Sequence, residues 1–247
     1  MLIESEGHRM LLDTGASAKV IGHNMDVLGL APGDIDLIFL SHGHRDHTGG
    51  LVPFLEADVP VYCSKEVLVG DKLVQSNGEM LGVSTSPDVL DLLKGAGPHL
   101  HDEPTQILPG IHASGYIPRL TDFEEPKGFW KRKGGELVSD EIPDDQSLFI
   151  ETSKGLVVVC GCSHSGVVNI AKRAGELFDR EIYLMIGGFH LGGASMERLL
   201  KVAAALRKEG VDHVAPMHCS GFGAKKVFSD FFSNFEHCGT GCIINIE

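Results

Sequence analysis

His42-Gly43-His44-Arg45-Asp46-His47 puts four potential metal ligands into six residues. Neutral imidazole and carboxylate oxygen are donors that zinc, manganese and iron accept. The small Gly43 lets this loop fold so that His42 and His44 face one ion while Asp46 and His47 face a second. The turn Thr48-Gly49-Gly50 follows directly. A chance pair of surface histidines would carry neither Asp46-His47 nor that turn.

Upstream, Asp36-Leu37-Ile38-Phe39-Leu40 is a nearly all-apolar run bounded by polar turns, the pattern of a strand buried on both faces. It delivers the histidine cluster at its C-terminal end. Three more predicted strands end in a histidine-bearing turn, at His164, His190 and His218. In sheets with helical crossovers, ligand sites gather at the carboxyl ends of the strands. These histidines should therefore converge, although they lie far apart in the chain.

The rest of the pattern fits this α/β reading. Strands are expected over 1–6 and 8–12, around Glu6-Gly7, and over 59–63. A hairpin is expected from 147–152 and 155–160, then strands over 181–186, 213–216 and 242–246. Helices are expected over 17–28, 167–178, 195–209 and 222–235, the third burying Leu199, Val202, Ala203 and Leu206. Residues 64–144 are loosely patterned, with Gly97-Pro98, Pro109-Gly110, Pro118 and Pro126. They read as an insertion or lid within a single domain spanning 1–247.

Composition narrows the partners. The net charge is −13, from 21 basic and 34 acidic residues. Such a surface repels phosphate backbones and disfavours nucleic acid. The one basic run, 127–133, reads as a solvated loop. No window reaches the length of an apolar membrane span, and the N-terminus lacks a basic stretch and an apolar core. The expectation is a cytoplasmic protein with no membrane partner. Cysteines 63, 160, 162, 219, 238 and 242 are too sparse for a disulfide scaffold and lack structural-zinc spacing, so they read as reduced thiols.

Leu12-Asp13-Thr14-Gly15, Leu40 to Gly50 and Pro216-Met217-His218 resemble the ordered motifs of the metallo-β-lactamase fold superfamily. Gly161-Cys162-Ser163-His164-Ser165-Gly166-Val167-Val168-Asn169, Ile186 to Leu191, Ile117-Pro118-Arg119 and Thr121-Asp122-Phe123-Glu124 narrow this to one branch. They are similar to dihydropterin-ribofuranosylaminobenzene phosphate synthase-like metallohydrolases. The resemblance implies a four-layer αβ/βα sandwich holding two divalent ions, zinc first and manganese or iron as alternatives. One ion would take His42, His44 and His164, and the other Asp46, His47 and His218. Members usually start one strand earlier, so an N-terminal edge strand is expected to be missing. They also carry a bridging carboxylate. The matching strand end here, Gly187-Gly188-Phe189-His190, has none, and alternatively Cys162 takes that place. Asp13 would orient a ligand histidine.

The chemistry implied is hydrolysis. Two ions lower the pKa of a shared water to about 7 and polarise the bond attacked. Asp46 ligates and accepts a hydrogen bond from the nucleophile. His190 either protonates the leaving group or belongs to the metal shell. The expected substrate is a small soluble molecule, a phosphoester first. The alternatives are a synthase joining a pterin to a ribofuranosylaminobenzene phosphate, and a diiron component reducing oxygen or nitric oxide. An oligomer is compatible with the sequence.

Overall fold

The structure, a computed structural model, describes residues 1–124 and 126–246. It divides into two units, Met1–Asp102 with Lys127–Asp144, and Glu103–Pro126 with Asp145–Glu247.

In the first unit, Glu6 and Gly7 take φ of 49° and 84° and close a hairpin of β1 (Leu2–Ser5) and β2 (His8–Leu12). The chain then builds outward in parallel through β3 (Leu37–Phe39), β4 (Val61–Cys63) and β7 (His99–Leu100), giving the order β1-β2-β3-β4-β7. Parallel neighbours need crossovers. Here α1 (Ala18–Leu28), α2 (Arg45–Thr48), α3 (Val52–Leu55) and α4 (Pro87–Ala96) lie between the strands in sequence. Leu37 to Leu40 are all buried, as their unbroken apolar run requires, and Ile38, Leu40, Leu51, Phe54 and Val61 share one core.

A second sheet of this unit joins β5 (Lys72–Ser76), β6 (Glu79–Gly82), β10 (Phe129–Lys133) and β11 (Glu136–Ser139) in the order β11-β10-β5-β6. The expected loop over 127–133 is therefore a strand in most of its length. Its charge does not prevent pairing, because Lys131 Nζ is neutralised by Glu66 at 3.2 Å and Asp140 at 3.5 Å.

The second unit is a seven-stranded sheet, ordered β16-β15-β14-β13-β12-β9-β8. Its strands are β8 (Thr105–Leu108), β9 (Ile111–Ala113), β12 (Ser147–Thr152), β13 (Gly155–Cys160), β14 (Ile182–Gly188), β15 (His213–Met217) and β16 (Asn234–Phe235). The β12–β13 hairpin has the expected register, Thr152 opposite Gly155. From β13 to β16 the strands are parallel. The helices α5 (Val167–Leu177), α6 (Met196–Lys208) and α7 (Gly221–Phe231) follow in the crossovers. The buried residues of α6 are Leu199, Val202, Ala203 and Leu206, the predicted stripe.

Two expectations at the C-terminus are corrected. The helix stops at Phe231, and Phe232 turns extended and is buried, so Asn234–Phe235 pairs with β15 instead. Residues 242–246 form no strand. Gly241 takes φ of 84° and Ile243 is 79% exposed, so the apolar pattern there has no neighbour to pack against.

Among the described residues, 64–144 supply seven strands and α4. Those strands are two to five residues long, too few repeats for periodicity to register. Two branch motifs brace one another: Glu124 accepts hydrogen bonds from Val168 N (2.9 Å) and Asn169 N (3.2 Å), and Asn169 Oδ1 accepts from Leu120 N and Thr121 N. Gly166 at the start of α5 has φ of 95°, and a Cβ there would lie 2.5 Å from the Glu124 side chain. Among the described residues, no helix is long and apolar enough to cross a membrane.

Leu206 is fully buried in the second unit's core. Leu206→Ala should cost about 2–5 kcal/mol, read from the shift of the urea unfolding midpoint at unchanged slope.

Candidate metal centre

The first unit brings His42, His44 and His47 together at the end of β3. The ring of His42 lies 4.6 Å from that of His44 and 4.2 Å from that of His47, centroid to centroid. His42 Nε2 and His44 Nδ1 are 3.0 Å apart. Two nitrogens bound to one tetrahedral ion sit roughly 3.3 Å apart, so the pair is pre-spaced for a metal. Asp46 is half exposed, its Oδ2 3.5 Å from His47 Nε2.

Asp13 orients this cluster. It stands just past β2 at φ of 59°. Its Oδ1 accepts from Ser41 N (2.8 Å), and its Oδ2 accepts from Ser41 Oγ (2.8 Å) and pairs with His47 Nδ1 (2.6 Å). A serine hydroxyl has one proton. With that proton given to Asp13, Ser41 Oγ can only accept from His42 Nδ1, 2.9 Å away. The Nδ1 atoms of His42 and His47 thus carry the protons, and their Nε2 lone pairs are left for an ion.

A second network holds the loop from the other side. Asp144 Oδ2 accepts from Gly43 N at 2.7 Å and pairs with the Lys72 ammonium, both side chains being buried. Burial alone would raise the Asp144 carboxyl, but Lys72 holds it below its ordinary range. A Cβ on Gly43 would come to 3.0 Å from Val67 O and 3.2 Å from Asp144, so this glycine is needed for close approach. Burial, with Lys72 adding to it, pushes His44 down to about 4. At neutral pH it is the uncharged imidazole that metals bind. Phe129 stacks on the His44 ring at 5.5 Å, a contact that the reading of 127–133 as loop missed.

In the second unit, β13, β14 and β15 are neighbours, and their carboxyl ends carry His164, His190 and His218. The His164 and His190 rings are 4.3 Å apart. Cys162 is the hub: its sulfur lies within 4.8 Å of a ligand nitrogen of His164, one of His218, and the ligand atoms of His190 and Cys219. Cys219, which reads in the sequence only as one of six reduced thiols, joins this cluster. Its thiol is pushed down, first by its hydrogen bond with Cys162, against burial, and then by His190. Spacing along the chain does not reveal it, because its partners Cys162 and His190 come from two other turns. Histidines away from these turns behave as ordinary residues: His112 and His213 pair with Glu151 (3.0 Å) and Glu236 (3.3 Å). Arg119 donates to the Ile117 carbonyl.

The metallo-β-lactamase superfamily model matches residues 1–169. A 7,8-dihydropterin-6-methyl-4-(β-D-ribofuranosyl)-aminobenzene-5′-phosphate synthase from Methanocaldococcus jannaschii is 34% identical, over 98% of this chain and 86% of its own length. An anti-Pycsar protein from Paenibacillus harenae is 30% identical, over 68% of this chain and 72% of its own. A crystal structure described as a metal-dependent hydrolase of the β-lactamase superfamily superposes with a TM-score of 0.82 at 29% identity. It covers 99% of this chain and 94% of that one.

Two variants separate orientation from stability. Asp13→Asn should weaken zinc binding about 10–100-fold in competition with a chelator, and an unchanged affinity would remove Asp13 from this role. Lys72→Met leaves the Asp144 charge buried without its cation and should cost about 3–5 kcal/mol in urea unfolding. Adding Asp144→Leu should recover part of that loss.

Proposed function

Because the chain belongs to the metallo-β-lactamase superfamily and has its fold, we propose that it is a metal-dependent hydrolase of a small, soluble phosphoester. The observation that carries this is the trio His42, His44 and His47, with His42 and His47 oriented through Ser41 and Asp13 and His44 kept uncharged at neutral pH by burial. That donor set fits a divalent ion of the zinc class. The ligands in this reading are His42, His44, Asp46 and His47 from the first unit and His164 and His218 from the second. We take the number of ions as two and zinc as the first candidate. Bound there, such ions supply Lewis acidity and an activated water.

The chain's own residues do the rest. Asp46, half exposed and beside His47, would help to hold an ion and would accept a hydrogen bond from the water there. Asp13 keeps the imidazoles aimed without moving during the reaction, which lowers the cost of reorganisation. For His190 the metal-shell role is preferred over that of proton donor, since its ring lies against His164 and its ligand atom beside two thiols. Residues 64–144 are taken to shape access for the substrate.

One relative supports the substrate class and another the reaction class. The archaeal relative's name includes a ribofuranosyl 5′-phosphate, and the crystallographic neighbour is described as a metal-dependent hydrolase. The acidic balance of the chain, −13, favours a small molecule over a polymer. The archaeal relative also favours a second reading, in which the same site serves a synthase acting on a phosphorylated aminobenzene riboside and a pterin.

The test is a substrate panel of phosphodiesters, phosphomonoesters and thioesters with protein loaded with zinc or manganese. Turnover of a phosphoester is expected, abolished by a chelator and reduced on the order of 100-fold or more in His42→Ala. Turnover unaffected by His42→Ala would remove the site, and condensation with a pterin in place of hydrolysis would favour the synthase.

A further inference from the structure

We propose that Cys162, His190 and Cys219 form a thiolate-rich binding site for a soft divalent ion of the zinc class, inside the second unit. This goes beyond the ligand set above, in which no sulfur is used.

The backbone aligns the three residues. Cys160 pairs with Gly187, and Gly187 with Pro216, across β13, β14 and β15. Counting on from that shared level, Cys162, His190 and Cys219 stand two or three residues past it, in the turns that follow three adjacent parallel strands. Their ligand atoms all lie within 4.8 Å of one another. Tetrahedral zinc with sulfur at about 2.3 Å and nitrogen at about 2.0–2.1 Å needs edges of roughly 3.6–3.8 Å, so small rotamer changes complete the site.

Close approach is built into the chain. A Cβ on Gly188 would lie 2.8 Å from Cys219 Sγ, 2.4 Å from Gly161 O and 3.2 Å from Cys162 Cα. Only glycine lets the turns after β13 and β15 reach each other there. The turns are also pinned: Gly188 N donates to Gly161 O (3.0 Å), Ser163 Oγ to Gly188 O (2.6 Å), Phe189 N to Ser220 Oγ (3.1 Å) and Gly192 N to Cys219 O (3.1 Å). Ser163, His190 and His218 take φ of 58°, 46° and 50°, a region non-glycine residues avoid. Strain of this kind persists where surrounding structure over-determines it, and it clusters at functional sites.

The charges also fit. On binding, both thiols release their protons to solvent, and two thiolates neutralise a divalent cation. A largely buried site then carries no net charge. Three protein ligands leave a fourth position open to solvent or substrate, the pattern of catalytic rather than structural zinc.

The site stands or falls without the hydrolase reading, because its signal is spectroscopic. The full chain, stripped with a chelator, is titrated anaerobically with Co2+ and watched for sulfur-to-cobalt charge transfer in the near ultraviolet. The band is expected in the wild-type chain and in His42→Ala. It should fall to about half in Cys219→Ser and vanish in Cys162→Ser/Cys219→Ser, as thiolate donors are removed. In the wild-type chain, zinc should slow alkylation of Cys162 and Cys219 about tenfold or more relative to exposed Cys242, which tests the site even if a variant misfolds. Absence of the band, its survival in the double variant, its loss in His42→Ala, or a mass showing a Cys162–Cys219 disulfide in place of metal binding would overturn the proposal.

Discussion

The Asp13 carboxylate takes three hydrogen bonds from two residues of the β3 turn and its helix: Ser41 N, Ser41 Oγ and His47 Nδ1. Each is ordinary, but together they decide several things. They fix the side chain of Ser41, and with it the tautomer of His42. They fix His47 directly. They also tie the end of β2 to the end of β3, since Asp13 N donates to Phe39 O and Thr14 N to His47 O. A carboxylate buried this deeply is costly unless its lone pairs are occupied. The metal loop therefore cannot change shape without stranding that charge, and orientation of the imidazoles follows from desolvation.

The second network obeys the same rule with a different partner. Asp144 is buried and would be expensive alone, so Lys72 neutralises it and Gly43 N donates to the same oxygen, Oδ2. Removing either ion of such a pair leaves the other uncompensated, whereas replacing both can be nearly neutral. The motif glycine thus has two reasons to be glycine: the tight loop, and the absence of a side chain between its amide and Asp144. In the second unit the corresponding constraint is steric. Gly188 and the left-handed residues at Ser163, His190 and His218 bring sulfur and imidazole to one sheet edge.

The sequence carried the elements that repeat. The all-apolar run before His42, the four-residue stripe of α6 and the tight β12–β13 turn all recur in the structure within one or two residues. The histidine-bearing turns were legible because each follows a strong strand. What stayed hidden has a physical reason in each case. The strands over 64–144 are too short to show a period. Strand β10 looked like a charged loop because its neutralising partners, Glu66 and Asp140, lie elsewhere in the chain. The C-terminal end departs from the pattern because an apolar residue such as Ile243 scores as strand whether or not a neighbour exists to cover it. Cys219 was visible but could not be weighed, since its significance comes from Cys162 and His190, which lie 57 and 29 positions earlier.

A sulfur donor and a carboxylate differ in the ions they prefer. A carboxylate is a hard donor suited to magnesium and manganese as well as zinc, while thiolate selects the softer ions. Two sulfurs on one sheet edge therefore bias the second unit toward zinc-class or ferrous ions. Thiolates also place more charge on the metal than imidazole does, which makes it a weaker Lewis acid. The first unit, with three imidazoles and a half-exposed carboxylate, has the opposite character. If polarising a phosphoester is the task, the imidazole side suits it better, and the sulfur side is better suited to holding an ion tightly. That division follows from ligand chemistry alone, and it explains why a chain with so complete a histidine motif would also bring two thiols to the ends of neighbouring strands.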